Sequence, residues 1–180
     1  MLTATYSLVA ISSEQQKARR VLARLQQGIA HLWKNLQEID VAGVQATIHK
    51  LLQFDDLVRQ RKMARYVIPA LKSATREVDA LLEELDALSN FCVDLLQALR
   101  QQAHLVLQQG TAKLKELRRA MELYCSNLHL RLVREEDELL PLMPRVLSGE
   151  EIFELGVQFL SDDGMRLDHR TQSREAEELS

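Results

Sequence analysis

The densest charge chemistry in this 180-residue chain lies between Arg131 and Glu136. Arg131 stands four residues before Glu135 and five before Glu136, so on a helix its guanidinium lies one turn from both acids. Adjacent carboxylates of this kind hold cations, move protons or pair with bases. A second cluster, Arg59, Arg61, Lys62 and Arg65, follows Asp55 and Asp56. A third, Lys17, Arg19 and Arg20, follows Glu14. Basic runs diluted by acids read as solvated helix faces. With a net charge of −3 and 4% aromatic residues, the chain lacks the footprint of a nucleic-acid binder.

Other chemistry-bearing residues are sparse. His31, His49 and His104 fall near what becomes one end of the fold, but none forms an HxxxH or HxxxE pair with an inward partner. His129 and His169 read as surface and tail. Two cysteines, Cys92 and Cys125, build neither a zinc cluster nor a disulfide framework, and are expected to be unlinked, reduced thiols. No Gly-x-Ser-x-Gly, P-loop or glycine-rich dinucleotide turn occurs. The expectation is a protein that is not an enzyme.

The elements that would position these residues are helices. Only 6 Gly and 3 Pro occur, while 46% of residues are apolar. The spacing predicts four long helices. The first opens at Ser13, in a capping-box pattern with Gln16, and carries Gln15, Ala18, Leu22, Leu25, Ile29, Leu32, Leu36 and Ile39. A break at Asp40 to Gly43 precedes the second, about 44 to 71, which Pro69 bends or ends. The third starts near Ser73, with Val78, Leu81, Leu85, Leu88, Cys92, Leu95, Leu99 and Val106, and ends at Gly110. The fourth starts at Thr111 and stops at Pro141 and Pro144.

Short turns between long helices imply an all-α, up-down-up-down four-helix bundle over residues 12–160. Ser148 and Glu151 cap a short C-terminal helix to about Leu160. Residues 1–11 read as an arm lying over the bundle, and 161–180 as a disordered tail. No stretch is long and apolar enough to span a bilayer, so a cytoplasmic protein without a membrane partner is expected.

The run YCSNLHLRLVREEDELLP, Tyr124 to Pro141, followed by LMPRVLSGEEIFEL, resembles the last helix of the hemerythrin-like (HHE cation-binding) family. EQQKARRVLARLQ, DDLVRQRKMARYVIPAL and LLEELDAL are similar to its first three helices. The resemblance implies a di-iron site with one histidine per helix and bridging carboxylates from the second and fourth. In this chain those ligand positions fall on Gln15, Gln60, Ala64, Leu85, Arg131, Glu135 and Glu136. Only Glu135 and Glu136 keep a ligand type. The expectation is therefore no cofactor and no metal. A non-catalytic interaction or regulatory module follows, with a protein partner or self-association. The alternative is a working di-iron protein that senses or stores oxygen or iron.

Glu135 without its cations would need a partner. Arg131, helped by Arg61, is expected to pair with Glu135 or Glu136, with Gln15 and Gln60 completing the hydrogen bonds. The competing arrangement is an ordinary exposed i, i+4 pair of Arg131 and Glu135.

Overall fold

Of the described residues in the expected seams, Leu22, Ile29, Leu85 and Leu99 are buried and Leu25, Leu81, Leu88 and Leu95 are half-buried, and the described elements are all helices. The computed structural model describes residues 2–34, 41–102 and 111–178, with side chains at 5–34, 41–102 and 113–164. Its elements are α1 (Leu2–Leu32), α2 (Val41–Arg59), a π-helical turn (Met63–Val67), α3 (Ile68–Ala74) and α4 (Asp79–Gln102). There follow α5 (Thr111–Arg134), a second π-helical turn (Glu135–Leu139), α6 (Leu140–Val146) and α7 (Gly149–Glu178). No strand occurs among the described residues. No helix among them is long and apolar enough to cross a membrane.

Helix α1 packs on α2, α5 and α7; α2 also packs on α4, and α4 on α5. The buried apolar side chains form two clusters. One gathers Leu22, Ile29 and Trp33 of α1 with Leu51 of α2, Leu99 of α4 and Leu117 of α5. The other joins Ile11 of α1, Met63, Leu71, Leu85, Leu139 and Phe159 of α7.

Several boundaries differ from the sequence reading. Residues 2–11 are not a separate arm: α1 runs from Leu2 through Ser13 without a break. Ser7 and Ile11 extend the buried face of Gln15 and Ala18 backwards, and the Ser7 hydroxyl donates to the Ile152 carbonyl at 3.1 Å. Burial beneath α7 outweighs the local capping signal. Gly43 is no break either, because it lies inside α2 and its carbonyl accepts from the Thr47 hydroxyl at 2.8 Å. Leu36, Ile39, Asp40, Val106 and Gly110 lie outside the described residues.

The second helix breaks at Gln60 and Arg61, not at Pro69. Pro141 and Pro144 do not stop the helical path, which continues to Val146 with Pro144 inside α6. Residues 161–178 are helical, in α7, rather than a disordered tail. Ile152, Leu155, Phe159 and Asp162 share one buried face that continues beyond Leu160. The capping box that opens α7 forms as expected: Glu151 N–H donates to the Ser148 hydroxyl at 3.2 Å, and Ser148 N–H to the Glu151 carboxylate at 2.7 Å.

Two prolines explain the π turns. A proline ring collides with the carbonyl four residues back and offers no N–H. Pro69 and Pro141 each stand two residues after a π turn, in which Ile68 N–H bonds Met63 O and Leu140 N–H bonds Glu135 O. One extra residue per turn lets the helical path pass the ring without ending.

Candidate functional site

Between the two apolar clusters lies a layer of buried polar side chains. Glu135, the first residue of the second π turn, has no exposed surface, and Arg61 is 2% exposed. The Arg61 Nη2 donates to Glu135 Oε2 at 2.8 Å. Gln15 of α1 donates its Nε2 to the same oxygen at 2.9 Å. On the other side, Arg131 of α5 gives its Nε to Glu135 Oε1 at 2.8 Å. The Gln15 carbonyl oxygen accepts from Arg61 Nη1, and Arg131 Nη1 donates to the Ser89 hydroxyl of α4. Three parts of the chain thus converge on one carboxylate, and a fourth is tied in through Ser89.

The local backbone explains why Arg61 points inward. Where α2 stops, its last carbonyls need donors. Arg61 Nε donates to the Val58 carbonyl at 3.1 Å. The helical path that resumes needs an acceptor at its start, and Glu14 supplies one, taking Lys62 N–H at 2.7 Å. The charged residues of the break therefore close the backbone they interrupt.

Burial alone pushes the Glu135 carboxyl up. The Arg61 and Arg131 guanidiniums, with the hydrogen bonds from Gln15 and Arg61, outweigh it and hold the group below its ordinary value. Glu135 is a carboxylate at neutral pH, with its oxygens engaged by cationic and amide donors.

A second ionic cluster borders the first. Lys62 Nζ, also buried, lies 2.7 Å from Asp163 Oδ1 and 3.3 Å from Glu14 Oε1. Arg65 Nη1 reaches Asp162 Oδ1 at 2.8 Å, and the Tyr6 hydroxyl donates to Asp163 Oδ2 at 3.4 Å. Burial lowers the Lys62 ammonium, but the carboxylates of Asp163 and Glu14 reverse this, and its pKa is raised. Consecutive residues therefore work in opposite directions. Gln15 and Arg61 engage Glu135, while Glu14 pairs with Lys62, which in turn reaches Asp163 of α7.

The structure brings together Gln15, Arg61, Arg131 and Glu135. It does not bring in Gln60, which is exposed at the break. Nor does Glu136 join: it pairs at the surface with Arg19, at 2.7 Å, because one residue is a 100° rotation on the helix. Ala64 sits half-buried in the first π turn, and Leu85 is buried in the second apolar cluster. Guanidinium, methyl and isobutyl groups offer a cation no lone pair, so this donor set does not fit a di-iron centre. Among the described residues no three of His, Cys, Asp and Glu are placed to share a metal ion. His31 and His129 are exposed, and His49 bonds Gln53 at 2.9 Å; the side chains of His104 and His169 lie outside the described ones.

The sequence reading missed three polar residues. Ser89 lies four residues after Leu85 and three before Cys92, on the inward face, which its position already signalled. Asp55 likewise lies between Leu51 and Val58; it accepts from the Tyr124 hydroxyl at 3.3 Å and from Arg59 Nε at 2.7 Å. Asp162, beyond the expected end of the last helix, carries no local signal of its contact with Arg65. Cys92 and Cys125 are free thiols in the first cluster. Burial, followed by the Asp55 charge, pushes Cys92 up to about 11. Burial, followed by Cys92, pushes Cys125 up to about 12. Neither thiol is a nucleophile at neutral pH.

Comparison with known proteins adds nothing to this geometry: no family model, no curated protein and no solved structure matches the chain.

Proposed function

We propose that the chain is an up-down-up-down four-helix bundle of the hemerythrin-like kind. In this reading its cation layer has been replaced by guanidinium, and it works as a non-catalytic interaction or regulatory module in the cytoplasm. One observation carries the reading: the two oxygens of the buried Glu135 are taken by Arg61 and Arg131, each at 2.8 Å. A bridging carboxylate in a di-iron bundle balances two cations with those same oxygens. Here two arginines supply that charge. The closed run of contacts from α1 to α2, α4, α5 and back to α1 supports the bundle topology.

The test is metal analysis of protein purified from iron-replete cells, with an absorption spectrum and melting curves with and without chelator. The expected result is colourless protein with substoichiometric iron and an unchanged melting temperature, since no metal term links to folding. About two irons per chain, with an oxo-bridge band and a melting temperature lowered by chelator, would overturn the reading.

A further inference from the structure

Two apolar surfaces lie outside the charged layer, and their borders carry opposite charge. The first is a cleft of about 370 Å³ between α1 and α2. Val21, Leu25, Phe54 and Leu57 form its apolar wall, with Arg24 and Lys50 at its rim and no acid in its lining. The second is the outer face of α7. Phe153, Val157 and Leu160 follow one another at gaps of four and three, and are 51%, 49% and 55% exposed. That spacing makes a single stripe, separate from the face of Ile152, Leu155 and Phe159 that packs inward. Glu150 and Glu154, both exposed, border the stripe at one edge. Among the described residues Arg24, Lys50, Glu150 and Glu154 have no ion-pair partner.

We infer that the α7 stripe of one copy of this chain docks in the α1–α2 cleft of the next. A helix presenting residues i, i+4 and i+7 to an apolar groove is an established recognition geometry. The acidic edge then meets the basic rim, which favours this pairing over wrong ones and speeds encounter. In an antiparallel pairing of stripe on stripe, the same edge meets itself. That places the acidic edge carrying Glu150 and Glu154 along the acidic edge of the other copy, with no basic residue between them. The cleft is the surface on the page with complementary chemistry. Since cleft and stripe are different surfaces, the contact is heterologous, and it propagates into open chains or closes into a ring. This deepens the interaction-module reading and rests on it, but its failure is separable. Iron content tests that reading, whereas assembly tests this one.

Sedimentation velocity of the full chain over a wide concentration range is the experiment. The native chain should sediment faster as concentration rises, with association about tenfold weaker at 500 mM than at 50 mM salt. A cleft variant, Arg24→Glu with Lys50→Glu, and a stripe variant, Phe153→Ser with Val157→Ser, should each stay monomeric. Mixed in equal amounts, they should form a one-to-one dimer and go no further, because each keeps one half of the contact. All four substituted positions are exposed, so circular dichroism should show both variants folded. A native chain that is monomeric at every concentration overturns the proposal. So does a cleft variant that still assembles while the stripe variant does not, which would mean that stripe pairs with stripe.

Discussion

On the side of the charged layer that holds Trp33, Leu51, Leu99 and Leu117, the backbone is uninterrupted α-helix within the described residues. On the side that holds Met63, Leu71, Leu139 and Phe159, the chain breaks into π turns, short helices and a covering helix. Both sides bury leucines and phenylalanines, so composition does not distinguish them. The irregularity starts at the layer itself. Arg61 sits two residues before the first π turn, and Glu135 opens the second. Regular helix suffices where only apolar groups must meet. The side that begins at the charges also carries Pro69 and Pro141, whose rings the two π turns let the helical path pass.

The strongest way to break this comparison is to remove one charge from the layer. Arg61→Met leaves Glu135 buried with one guanidinium fewer and should cost about 3 to 5 kcal/mol in denaturant unfolding. Adding Glu135→Leu should recover part of that loss, because an apolar residue needs no partner. Near-neutral single variants with no coupling would mean that the layer does not organise the fold. The regular side can be sharpened with its own thiols. Cys92 and Cys125 should label at least about 100-fold more slowly in the native chain than a free thiol at pH 8, given their raised pKa values. Arg61→Met should speed that labelling.

Smaller effects separate the outer ionic cluster from the inner one. Asp162→Asn with Asp163→Asn frees Lys62 and Arg65 from α7, and should cost about 1 to 2 kcal/mol because these pairs are partly solvated. Thiol labelling on the far side of the layer should not change. Equal disturbance of both sides would show that α7 holds more than the side it covers. The smallest effect expected is in the acid limb of stability. The Glu135 pKa is depressed in the folded chain, so its contribution is present above the ordinary glutamate value of 4.5 and is lost as pH falls through the folded value. Thermal melts from pH 6 downwards should fall more steeply for the native chain than for Glu135→Gln. Parallel curves would place the acid sensitivity elsewhere.

The same contrast explains what could be read from the sequence. Seams such as Leu22–Ile29 and Leu117–Leu128 follow the 3.6 period, and the structure buries them. Gln15, Arg61, Arg131 and Glu135 were legible because each is polar at a position where the period demands an apolar residue. Gln60 failed for a backbone reason. The family resemblance places it inward, but it lies two residues, about 200°, past the buried Val58, whereas Arg61, three residues past it, falls on the inward side where the helix breaks. Glu136 failed by a single 100° step. The helical start at Leu2 and the engagement of Asp162 were illegible locally, since each depends on α1 and α7 covering one another.

Trp33 is the one tryptophan in the chain, and it lies buried at the end of the regular side, its indole nitrogen without a hydrogen-bond partner among the described residues. Its emission is therefore a spectroscopic reporter confined to one half of the molecule. Far-ultraviolet ellipticity, by contrast, sums both halves. If the charged layer couples them into one cooperative unit, the two signals superimpose through unfolding. If the layer is a seam, the ellipticity falls first and the fluorescence later, and a single midpoint read from tryptophan alone would overstate the stability of the whole.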